Sequence, residues 1–218
     1  GKAVPAEAAD SAEEADGPAP VPARGGGWSA RGRAAARSLV SGHGPLADLG
    51  LWALSAALMT VICARFINAP DAFSQTYDTI FHLNAVRWIL DTGSASSLSF
   101  DMVTARGAIY PLGWHTLVTL TMRLSGATSI PLVTNAVMFA VAGLVWTSGV
   151  ITLTGALTAD RRAGRVATAV LASAAPAFPL LGLFWGILYP MFLATALLPG
   201  ILLTAMAAVA AGTPLPRR

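Results

Sequence analysis

Four stretches of this chain are nearly unbroken hydrocarbon, and one stretch between the first two carries polar residues at helical spacing. The apolar runs cover about 46–67, 129–156, 166–184 and 191–211. At ~1.5 Å per helical residue, runs of this size match the ~30 Å hydrocarbon thickness of a bilayer. The pattern predicts an all-α, polytopic membrane bundle of about four transmembrane helices. Ser129 is placed to cap the second span, with Pro131 in its first turn. Pro176 and Pro179 should kink the third, and Pro199-Gly200 the fourth. Asn135, at the start of the second span, needs a partner within the protein. No ionisable group is placed deep in a span. Asp48 and Arg65 fall at the two ends of the first, where each reaches the interface.

The mixed stretch runs from Gln75 to Gly93. Thr76 or Asp78 can cap the start of a helix there, and Gly93 can end it. At ~100° per residue, Asp78, His82, Ala85 and Ile89 share one stripe, while Asn84, Arg87 and Asp91 lie opposite. Asp78 and His82 therefore sit one turn apart on a stripe that becomes apolar further along. Two readings follow. In one, Asp78 caps the helix and His82 is an interfacial histidine with its hydrogen bonds met. In the other, both face a covered cleft, where ionisable groups carry chemistry.

A second helix begins near Tyr110-Pro-Leu-Gly-Trp-His115 and runs to about Leu124. Fifteen residues containing His115 and Arg123 are too short and too polar to cross a membrane. Charge agrees. If 110–124 lies at the outer face, the loop holding Arg161, Arg162 and Arg165 and the terminal Arg217-Arg218 both fall inside, as the positive-inside rule requires. The outer loop, 68–128, then holds two juxtamembrane helices. Its acids Asp71, Asp78, Asp91 and Asp101 outnumber Arg87, Arg106 and Arg123.

Composition sharpens this picture. Of 218 residues, 55% are hydrophobic and 11% charged, against ~25% charged in soluble domains. Residues 1–44 lack apolar periodicity and read as a disordered cytoplasmic tail, acidic at first and then basic. Its arginines, Arg24 to Arg37, meet anionic lipid rather than nucleic acid. The single cysteine, Cys63, excludes a disulfide framework and reads as an inert thiol facing lipid. Trp88, Phe100 and Trp114 read as interfacial belt aromatics. Phosphate-cradling glycine loops, zinc-protease motifs and nucleophile elbows are absent. The chain opens on Gly1-Lys2 and closes on a short cytoplasmic end, 212–218, so it reads as a fragment of a longer protein.

The layout resembles the amino-terminal part of the C-type (GT-C) glycosyltransferases. Asp78, a short helix ending at Thr92-Gly93, and Tyr110-Pro111-Leu-Gly-Trp114-His115 carry that resemblance. The run from Asp78 to Gly93 is also similar to a family of actinobacterial multi-pass membrane proteins. The first resemblance implies sugar transfer from a polyprenyl-phosphate donor at the outer face of the cytoplasmic membrane. Asp78 would be the catalytic acid/base. His82 and His115 would contact a divalent metal or substrate, and Arg87 or Arg106 a phosphate. The sequence departs from that class at Leu188-Tyr-Pro190, where a second acid is expected, and it has too few spans to act alone. The alternative is a non-enzymatic transporter subunit or envelope-assembly scaffold.

Overall fold

The computed structural model describes Gly1, residues 45–100 and residues 109–210. The tail, the segment containing Arg106, and 211–218 lie outside the described residues. Among the described residues the fold is all-α, with no strand. Six helices follow in order: α1 Pro45–Ala64, α2 Tyr77–Thr92, α3 Gly113–Ser125, α4 Ile130–Leu157, α5 Arg161–Ala174 and α6 Tyr189–Ala210.

Among the described residues, three apolar stretches are long enough to cross a membrane: Ile130–Leu157, Arg162–Phe184 and Tyr189–Ala210. The shorter apolar helix α1 has 20 residues, or ~30 Å of axis. Helix α3 has 13 residues, ~20 Å, short of a crossing. The cap residues set the starts. Ser129 accepts the Leu132 N–H at the start of α4, and Asp160 accepts the N–H groups of Arg162 and Ala163 at the start of α5. A π-helical stretch, Val141–Trp146, interrupts α4. The proline-rich end of the third span breaks as expected. The chain leaves α5 after Ala174, and Phe178 is extended (φ −144°, ψ 132°). Helix α6 instead runs through Pro199 as one helix.

Contacts between helices fix their directions. Asp48 meets Arg165 and Ser55 meets Ser173, so α1 and α5 run parallel. The Trp146 indole donates to the Ala172 carbonyl, and Gly155 lies against Arg165, so α4 runs the other way. Helix α6 begins beside α3, where Tyr189 stacks on Trp114, and Leu203 further along it shares a crevice with Leu49 of α1. Helices α1, α4, α5 and α6 thus alternate in direction. The starts of α1 and α5 and the ends of α4 and α6 share one end of the bundle, and α2 and α3 cover the other.

Burial corrects several expectations. Trp114 and Phe100 are core residues, 1% and 2% exposed, not belt aromatics. Trp114 stacks on Tyr189 at 4.8 Å and meets Phe192 edge-on, because α3 lies across the start of α6. Trp88 is half-buried, edge-on to Phe100. Cys63 is buried among protein side chains, away from lipid. Arg165 is no loop residue. It belongs to the second turn of α5, 2% exposed, and its Nη1 donates to Asp48 Oδ1 at 2.6 Å. An ion pair is therefore buried between α1 and α5, where the sequence placed none. Asn135 finds its partners: its Nδ2 donates to the carbonyls of Pro70 and Ala72 at 2.9 and 2.8 Å.

Candidate functional site

Helix α2 is built to present one face. Thr76 caps it by accepting the Thr79 N–H, and Gly93 ends it in the left-handed region at φ 70°, its N–H donating to the Ile89 carbonyl. His82, Ala85 and Ile89 are buried, whereas Asn84, Arg87 and Asp91 face out, as the periodicity predicts. Asp78, at the first turn, stays exposed at the edge of the buried stripe.

The buried end of that stripe forms a hydrogen-bonded chain through three elements. His82 Nδ1 lies 2.9 Å from His115 Nε2 on α3, and His82 Nε2 lies 2.9 Å from the Ile187 carbonyl, in the turn before α6. A carbonyl only accepts, so Nε2 of His82 carries a proton. With His82 neutral, its Nδ1 accepts, and His115 donates from Nε2. The lone pair on His115 Nδ1, buried and without a hydrogen-bond partner among the described residues, ends the chain. Burial lowers the pKa of His82, opposed by the Ile187 hydrogen bond and the charge of Asp78. Burial, and then repulsion from His82, push His115 down to about 3. Both rings are thus neutral at pH 7. Burial raises the pKa of Tyr110, and the Asp78 carboxylate adds to the rise.

Ile187 has φ 49°, a region that β-branched residues avoid. The residue is buried and its carbonyl is aimed at His82. Backbone held this way is over-determined by its surroundings and is frequent at functional sites.

Beside this chain lies a cleft of about 620 Å³ between α2, the 110–111 segment and α6. Phe81, Tyr110, Leu188, Pro190 and Met191 supply apolar walls, and Asp78 is the sole charged side chain lining it among the described residues. Its floor continues to Ala194, one turn into α6.

The structure brings Asp78 and His82 to one cleft and sets His115 directly behind His82. Both ring nitrogens of His82 are engaged within the protein. Among the described residues, no three His, Cys, Asp or Glu side chains converge as a metal site. Arg87 is not brought to the cleft. It lies nine residues from Asp78, half a helical turn out of phase, and pairs with Asp91 at 3.6 Å. Arg106 lies outside the described residues. The Ile187 carbonyl is a member of the site that the sequence does not reveal. Nothing local marks it, because its partner is 105 residues away.

Fold and cleft together define a multi-pass, all-α membrane protein with a capped end that holds a single acid in an apolar cleft. The chain belongs to DUF6541, a family of unknown function whose model matches residues 16–218. No curated protein and no solved structure matches it.

Proposed function

We propose that the capped end faces the cell exterior and that its cleft transfers a sugar from a polyprenyl-phosphate donor, with Asp78 as the base. The observation that carries this reading is a carboxylate that is the sole charged side chain among the described residues lining an apolar cleft, whose floor runs onto a helix long and apolar enough to cross a membrane. An isoprenoid chain follows the apolar floor along α6 while its reactive head stays beside Asp78. In the transfer, the acceptor hydroxyl oxygen bonds to the anomeric carbon as that carbon's bond to the phosphate oxygen breaks. The hydroxyl proton passes to Asp78, and polyprenyl phosphate leaves with the electron pair. His82 and His115 act as positioning residues, holding the turn that carries Leu188 and Pro190 into the wall. Arg106 is the residue proposed to meet the phosphate, since Arg87 points away. Helix α1 is the fourth span in this reading, and the start of α5 with its arginines is cytoplasmic.

The test uses the complete protein in proteoliposomes with a labelled polyprenyl-phosphate sugar. Transfer by wild type, reduced about a hundredfold or more by Asp78→Asn, supports the reading. Equal transfer by wild type and Asp78→Asn ends it. The buried Asp48–Arg165 pair is the one observation that favours a transporter subunit instead, because buried ionisable pairs recur on ion pathways. Ion flux through the same proteoliposomes, abolished by Asp48→Asn, would decide for that reading.

A further inference from the structure

A second cavity, about 340 Å³, opens on the other side of the turn before α6. Successive residues of that turn face different spaces: Ile187 and Tyr189 line the second cavity, while Leu188 and Pro190 line the Asp78 cleft. The second cavity lies between the end of α1, the 68–74 segment and the start of α4, at the capped end of the bundle. Its volume is at the small end of ligand sites, which run from about 300 to 1,000 Å³.

Its chemistry is distinctive. Among the described residues, no charged side chain lines it. A charged ligand entering it would lose water without gaining a partner, which selects for a neutral one. Aromatic faces are present: Phe66 stacks on Phe184 at 4.5 Å between centroids, and Tyr189 forms part of the wall. Polar groups stand among them. Asn135 is 6% exposed, and two hydrogen bonds from its Nδ2 lock the amide in place. Its Oδ1 makes no hydrogen bond among the described residues, so the cavity wall presents a fixed acceptor. Asn68 and Ser74 add two side chains that likewise have no partner among the described residues. A hydrocarbon chain would leave these polar groups unmatched. Flat apolar faces beside hydroxyl-matching amides suit a ring with apolar C–H faces and a rim of hydroxyls.

We infer that this second cavity binds a neutral sugar ring or an equivalent polyol. The inference stands apart from the transferase reading: it concerns different residues, and binding needs no donor and no turnover.

The experiment is ligand-observed NMR on the full chain in lipid nanodiscs. The probes are glucose, galactose, mannose and arabinose, with glucuronate and glucosamine as charged counterparts. The expected result is saturation transfer to at least one neutral sugar and none to the charged pair. Phe66→Ala, at an exposed position, should weaken binding about threefold to tenfold, the loss of one aromatic face. Ser74→Trp, also exposed, should fill the cavity and abolish binding, while Asp78→Asn should leave it unchanged. Absence of binding by every neutral sugar overturns the inference, as does binding that survives Ser74→Trp or favours a charged probe.

Discussion

Asp48 and Arg165, 117 residues apart in sequence, meet at 2.6 Å between α1 and α5, the arginine almost wholly shielded from solvent. A pair of this kind adds little net stability over an apolar replacement, yet removing the arginine leaves the carboxylate uncompensated. Arg165→Met should cost roughly 3–5 kcal/mol, because it leaves the Asp48 carboxylate facing an apolar side chain, and adding Asp48→Leu should recover most of that loss. Thermal melts of detergent-solubilised protein, read by fluorescence size-exclusion, measure both variants.

Gly155 is the neighbour that makes room for this arginine. A Cβ there would collide with Arg165 Nε and lie 2.8 Å from its Cγ. Gly155→Ala should destabilise by about 1–3 kcal/mol, the usual cost of overpacking. In an Arg165→Ala background the same change should cost far less, a coupling that a double-mutant cycle on the melting temperature reads directly.

The histidine chain makes stability depend on pH. His82 and His115 have folded-state pKa values below the ~6.5 of an unfolded histidine. Below that value the unfolded chain binds protons that the folded chain refuses. Stability is therefore full above about pH 6.5 and declines as pH falls, for His115 through the range down to about 3, by up to ~1.4 kcal/mol per pH unit for each histidine that is still neutral in the folded chain. His115→Gln keeps a donor for His82 Nδ1 and removes one titrating ring. It should flatten the profile between pH 6.5 and 4. A slope identical to that of wild type would show that His115 is not its source.

Sidedness follows from thiol labelling. In a Cys63→Ala background, a cysteine at exposed Leu124 in α3 should react with an impermeant reagent on intact cells, and one at exposed Arg162 in α5 should not. Labelling at 162 from outside would invert the proposed orientation and place the Asp78 cleft in the cytoplasm.

Local rules carried the sequence reading well where the deciding partner is nearby. Thr76 and Gly93 bound α2 because caps act within one turn, and the His82-Ala85-Ile89 stripe is buried because a helix has a fixed period. Asn135 could be flagged as needing a partner, but not matched to Pro70 and Ala72. The reading failed where contacts are long-range. Arg165 looked like a loop residue because it sits among Arg161, Arg162 and Asp160, and its contact with Asp48 on another helix has no local signal. Trp114 looked like an interfacial anchor because tryptophan favours that depth, yet Tyr189 and Phe192 of α6 enclose it. The carbonyl of Ile187 has no side-chain signature at all.

The turn that carries Ile187 has a further consequence, for how the protein is made. Helices α2 and α3 leave the ribosome early, but His82 has no carbonyl to bond, Trp114 no ring to stack on, and the cleft no floor until residues 187–194 have been synthesised and α6 has entered the bilayer. The capped end therefore waits, half-built and with its apolar face uncovered, through the insertion of α4 and α5. A chain stalled before Ile187 exposes surface that a membrane chaperone or protease can recognise, so the synthesis of α6 is the step that closes the site.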